Sequence, residues 1–188
     1  MSQFTFEKTC FDGAYLITPF FTGDNRGGFT KIFEKQIYEE AGIIFNLNET
    51  FVSVSSKNVI RGMHFQINHP QAKLVSVLNG AAYDIIVDLR PESTTYKKWQ
   101  GFNLNENNHK AVYVPRGFAH GFMTFEDDTS MLYMCDGQYD KETDTGIRFD
   151  DPDLSIEWPT AHLEQCIHSQ RDLNLMSFSE YEKSPMKL

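Results

Sequence analysis

Neither of the glycine-rich phosphate loops is present. No GxGxxG and no GxxxxGK[ST] occurs, so a Rossmann dinucleotide site and a P-loop are both unsupported. The three cysteines, Cys10, Cys135 and Cys166, form no CxxC pair, which gives neither a zinc knuckle nor a disulfide framework. Buried, reduced thiols in a cytoplasmic protein are the plainer reading. The six histidines include no HxH pair, the usual opening of a metal site in a jelly roll, so no catalytic metal is expected. Ser55, Ser56 and Ser169 lack nucleophile-elbow sequence, and an acyl-transfer triad is not favoured. Apolar runs fall well short of a membrane span, and residues 1–8 lack a basic-then-apolar leader pattern. Positive charge is also scarce: 17 Lys and Arg against 26 Asp and Glu leave a formal net charge of -9. That disfavours nucleic acid, yet permits one phosphorylated ligand held by a local group of cations.

What the chain has is apolar and aromatic mass, 40% and 14% of 188 residues, enough for one domain with a substantial core over 1–188. Its dominant period is two. From Ala82 to Arg90, Tyr83, Ile85, Val87 and Leu89 alternate with Ala82, Asp84, Ile86 and Asp88, a strand with an apolar face and a mixed one. Further strands are expected at 14–20, 29–33, 49–56, 59–66, 73–79, 111–114, 119–125 and 130–136, separated by turn residues. Helices are expected only over 34–41, stopped by Gly42, and over 160–166. Many short strands with few helices predict an all-β sandwich or barrel such as a jelly roll, whose mouth can host a ligand. Asp84 and Asp88 on the mixed face fit a polar lumen, and fit solvent-facing carboxylates equally well.

Two stretches concentrate the chemistry: Asn58 to Gln66, with Arg61, Gly62 and His64, and Val114 to Phe122, with Arg116 and His120. A sheltered histidine exchanges protons near neutral pH, so His64 reads as a general base or, alternatively, as a hydrogen-bonded core histidine. Arg61 is an anion-binding fork, and a hairpin through His69-Pro70-Gln71 would bring Lys73 beside His64. Arg26 can hold phosphate, while Phe29 can stack on a base or pack in the core. By pattern alone, Tyr133 is an ordinary buried strand tyrosine and Asp172 a solvated loop acid.

Together, and in this order, several elements resemble the dTDP-4-dehydrorhamnose 3,5-epimerases, cupin-like jelly-roll enzymes acting on nucleotide-linked 4-keto-6-deoxy sugars. They are Asp24 to Phe29, Asn58 to Gln66, Gln71 to Val75, Tyr83 to Arg90, Val114 to Phe122, Asp151-Pro152 and Ile156 to Pro159. The resemblance implies roles. His64 is the base, Asp172 its orienting partner, Tyr133 the acid on the opposite sugar face, and Lys73 the stabiliser of the C4 oxyanion. Arg61, His120, Asp84, Glu49 and Tyr139 shape the sugar and phosphate pocket. Arg26 and Phe29 reach the neighbouring nucleotide across a strand-exchanged homodimer. No cofactor is implied.

The chain departs from the family pattern at Lys31, usually glutamate, and at Glu49-Thr50-Phe51, usually Gln-x-Asn. Met134 stands for a usual lysine and Gly28 for a bulky residue. These positions surround the nucleotide and sugar pocket, so dTDP is the expected nucleotide with GDP and CDP open. Three rival functions remain at this point: a mono-epimerase or 3,4-ketoisomerase, a non-catalytic sugar-nucleotide-binding jelly roll, and a metal-dependent cupin.

Overall fold

Alternation of apolar and polar residues, broken by turn residues, organises nearly everything in the computed structural model, which describes residues 4–160 and 162–183. The elements run β1 (Thr5–Lys8), β2 (Tyr15–Thr18), β3 (Phe20–Asp24), β4 (Gly27–Lys31), α1 (Lys35–Glu40), β5 (Glu49–Ser55) and β6 (Ile60–Gln66). They continue with β7 (Lys73–Asn79), β8 (Ala81–Asp88), β9 (Trp99–Asn105), β10 (Ala111–Val114), β11 (Phe118–Thr124), β12 (Thr129–Cys135) and β13 (Asp144–Gly146). Two short helices close the described chain, α2 (Gln170–Leu173) and α3 (Phe178–Lys183).

The strands form a six-stranded sheet, β1-β2-β10-β7-β12-β5, a five-stranded sheet, β13-β6-β11-β8-β9, and a separate β3–β4 hairpin. From β5 onward the chain passes from one sheet to the other at nearly every connection, which makes the fold a jelly-roll sandwich of the cupin kind. Val75, Val77, Val112, Val114 and Met131 of one sheet pack against Ala82, Ile86, Phe102, Phe118 and Phe122 of the other. The outer face of the five-stranded sheet is covered by Ile147, Phe149, Trp158, Phe178 and Tyr181 from the last forty or so residues. Tyr38 of α1, with Ile43 and Phe45, covers part of the six-stranded sheet.

Several expectations change. The run expected at 14–20 is β2 alone, ending before Pro19, and β3 beyond Phe20 was not foreseen. Strands β1, β9 and β13 were not foreseen either; β1 and β13 are too short to show a period, and β9 is interrupted by Gly101. The helix expected over 160–166 is a single 3₁₀ turn at Leu163–Gln165, with position 161 outside the described residues. Cys166 is extended there because Ile167 bridges to Val59, which draws the chain alongside β6 instead of into a helix. The hairpin expected between His64 and Lys73 does not form. Both neighbours of β6 are already β11 and β13, so the chain crosses to the other sheet. Of the thiols, only Cys135 is buried, and burial pushes its pKa up to about 11; Cys10 is exposed and Cys166 intermediate.

The mixed face of β8 is the inner one, and both its aspartates are wholly buried. Asp88 receives Arg90 Nε and Nη2 at 2.8 Å each, and the hydroxyls of Ser93 and Thr95 at 2.6 and 2.7 Å. Burial alone would raise its pKa, but these bonds outweigh burial and hold it below the usual carboxylate range. A depressed folded pKa contributes stability that is fully present above the unfolded value, about 3.9, and is lost as pH falls through the lower folded one. Asp88→Ala should cost about 3 kcal/mol, read as a lower urea midpoint at unchanged slope.

Candidate active site

A regular strand would send Arg61 and His64 to opposite faces, because they are three residues apart. In β6 they share a face, because a bulge intervenes: His120 of β11 stands opposite His64, while Phe122 stands opposite Arg61. Gly62 makes the bulge possible. Its φ is +140°, and a Cβ there would lie 2.6 Å from Gly121 Cα. Both side chains therefore reach one cavity of about 260 Å³ at the mouth of the sandwich.

His64 Nε2 lies 2.7 Å from Asp172 Oδ1. Ile167 places that carboxylate: its N–H donates to Asn58 O at 2.8 Å and its carbonyl accepts from Ile60 N–H at 3.0 Å. The segment just before α2 is thereby pinned along β6. Ser169 then caps α2, accepting from Asp172 N–H at 3.0 Å. Asp172 is buried, not a solvated loop acid. Burial pushes its carboxyl up, but the bond and charge of His64 prevail and the net shift is downward. With Nε2 held by a carboxylate, Nδ1 is the ring nitrogen left to take a proton.

The facing sheet supplies the other wall. Tyr133 of β12 and Lys73 of β7 line the same cavity. Burial lifts the Tyr133 phenol well above its ordinary value, with the Asp84 carboxylate adding to the effect, so it holds its proton at neutral pH. Burial lowers the Lys73 pKa, while Asp144, Asp84 and Glu49 act in the opposite sense. Lys73 has no ion pair among the described residues, so its Nζ is free to meet a developing negative charge.

Around these four, Arg61 is exposed, bonds only Ser55 Oγ at 3.2 Å among the described residues, and faces the cavity. His120 also lines it, with Nε2 2.7 Å from Asp84 Oδ2. Asp84 stands behind His120 and reaches the cavity through it. Glu49 Oε1 accepts from Gln71 Nε2 at 3.1 Å, and Tyr139 donates to Asp144 Oδ2 at 3.2 Å; all four border the cavity. Arg26 and Phe29 do not reach it within this chain. They sit on the β3–β4 hairpin, where Arg26 forks onto Asp24 and Phe29 is 56% exposed, outside the core.

Ser53, Phe122 and Asp144 line the cavity without having been singled out as site residues. For Ser53 a signal existed: Glu49, Phe51 and Ser53 follow the period of two along β5. Asp144 had none, since β13 spans three residues.

A family profile described as dTDP-4-dehydrorhamnose 3,5-epimerase matches residues 8–180. The enzyme of that name from Methanothermobacter thermautotrophicus is 41% identical over 174 residues, 93% of this chain and 94% of the relative. A dTDP-4-dehydrorhamnose 3-epimerase from Streptomyces niveus is 39% identical over 79% of this chain and 73% of its own. The structure of a dTDP-6-deoxy-D-glucose-3,5-epimerase from Legionella pneumophila, in complex with dTDP-4-keto-L-rhamnose, superposes with a TM-score of 0.93 at 34% identity, covering 98% of both chains.

Proposed function

This chain belongs to the dTDP-4-dehydrorhamnose 3,5-epimerase family, and from that premise we propose that it inverts C3 and C5 of dTDP-4-dehydro-6-deoxy-D-glucose, giving dTDP-4-dehydro-L-rhamnose. It is an isomerase. The observation that carries the residue assignment is that His64, on the five-stranded sheet and bonded to Asp172 of α2, faces the same cavity as Tyr133 and Lys73 of the other sheet. A sugar ring lying between the sheets presents one face to a base and the opposite face to an acid.

The ketone at C4 acidifies the hydrogens on C3 and C5. His64 removes one of these protons, with Asp172 stabilising the imidazolium. The electron pair passes into a new carbon–carbon double bond and onto the C4 oxygen, where Lys73 stabilises the enolate. Tyr133 returns a proton to the same carbon from the other face, and the configuration inverts. His64 then gives its proton to solvent and Tyr133 regains one from it, and repetition at the second carbon completes the reaction. Arg61 takes the diphosphate as a planar fork; His120, oriented by Asp84, and Glu49 and Tyr139 bound the sugar. Incubation with the dTDP ketosugar and chromatography of the products tests the reading. The epimerised dTDP sugar is expected; recovery of unchanged substrate, with turnover of the GDP or CDP counterpart, would overturn the nucleotide assignment.

The same reading takes the chain as one domain, because β2 from the N-terminal end pairs with β10, and α2 near the C-terminal end carries Asp172 to β6. It also makes the protein a strand-exchanged homodimer. Support comes from β5, an edge strand whose Val52 and Val54 are 51% and 59% exposed, and from the β3–β4 hairpin, which pairs with neither sheet and carries Arg26 and Phe29 outward. Sedimentation should give twice the chain mass; a 21.7 kDa species alone would contradict the dimer. No helix among the described residues is long and apolar enough to cross a membrane. A cytoplasmic site is supported by the absence of any disulfide among the described cysteines.

A further inference from the structure

Phe51 occupies a position with no obvious structural need for an aromatic ring. It lies on an edge strand, 47% exposed, between Glu49 and Ser53 on the cavity-facing side of β5. It stands directly opposite Tyr133 of β12 in the antiparallel register. The two rings are parallel to within 8° with centroids 4.7 Å apart. A second ring meets the same tyrosine edge-on: His120, at 5.8 Å and 75°. Both contacts are attractive aromatic geometries, and together they restrict the phenol's swing toward either neighbour. His120 is itself fixed by buried Asp84, whereas Phe51 is the half-open side of this clamp.

We propose that Phe51 is a positioning residue for the proton-returning step: by stacking on Tyr133 it holds the phenol oxygen at the sugar carbon that must be reprotonated. The inference rests on Tyr133 being the acid. It follows from the register and the stack, because a tyrosine that donates to carbon needs its oxygen placed within a fraction of an ångström. A displacement of about 1 Å costs on the order of 10²-fold. His64 lies on the opposite sheet, with Asp172 behind it on α2, and makes no stacking contact with Phe51, so proton removal does not depend on it. The residue therefore controls the ratio of inversion to exchange more than the rate of exchange.

The test compares wild type, Phe51→Ala, Phe51→Leu and Phe51→Tyr on the dTDP ketosugar in heavy water. It measures solvent deuterium entering the recovered substrate against epimerised product formed. Phe51→Ala should keep exchange near the wild-type rate while inversion falls by about 10-fold or more. Phe51→Leu, which keeps the bulk without the ring, should also lose inversion and answers for any misfolding of the alanine variant. Phe51→Tyr, which restores the ring, should recover the wild-type ratio. An unchanged ratio in both the alanine and leucine variants, or exchange and inversion falling in equal proportion, would overturn the proposal. Wild-type protein that neither exchanges nor inverts would instead overturn the assignment of the reaction itself.

Discussion

His64→Ala is expected to lower kcat by about 10³-fold, the scale of a lost general base, with the fold retained. The ring has one hydrogen-bonded partner, Asp172, and is partly open to the cavity, so its removal leaves both sheets intact. What it does leave is a buried carboxylate without that partner. A stability loss of about 1–3 kcal/mol should therefore accompany the activity loss. Circular dichroism and a thermal melt separate the two effects: a native spectrum with a modestly lower Tm is the expected result. Asp172→Asn should act in the same direction on kcat, because it keeps the shape of the partner and removes the charge that stabilises the imidazolium. Full activity in either variant would remove the pair from the mechanism.

Tyr133→Phe should separate two events that the wild-type enzyme couples. In the proposed mechanism proton removal depends on His64 from the five-stranded sheet, so deuterium exchange into substrate should continue. Return of a proton to the other face is there assigned to the phenol of the six-stranded sheet, so inversion should fall by about 10²-fold. The burial that keeps this phenol protonated makes the separation clean, since no competing phenolate base is present at neutral pH. The ring stays stacked on Phe51 in the variant, so the fold should not change. Inversion at the wild-type rate would show that another group is the acid.

The period of two made most of the sandwich legible, because each inner strand alternates between a core-facing and a covered or exposed side. It stopped being informative where the site is made. Alternation assigns Arg61 and His64 to opposite faces, and only the bulge at Gly62 brings them together; the glycine marks a special backbone position without stating which way the chain turns. Pattern placed the Asp84 carboxylate in either a lumen or solvent, and burial decides for the interior, behind His120. Asp172 could not be placed by local pattern at all. Its helix has four residues, too few for periodicity, and its position depends on Ile167 bridging to Val59, more than a hundred residues earlier. Resemblance to a family supplied that residue. The hairpin expected to join His64 to Lys73 was wrong in connectivity, yet the two face each other because consecutive strands here belong to opposing sheets. Arg26 and Phe29 stand apart from the cavity for a different reason: one chain carries them outward on the β3–β4 hairpin.

The most direct test of proton abstraction and return between the two sheets is conversion of dTDP-4-keto-6-deoxy-D-glucose in heavy water, read by NMR and mass spectrometry. Deuterium at both C3 and C5 of a product inverted at both carbons is the expected result. Conversion without solvent deuterium at either carbon would contradict it.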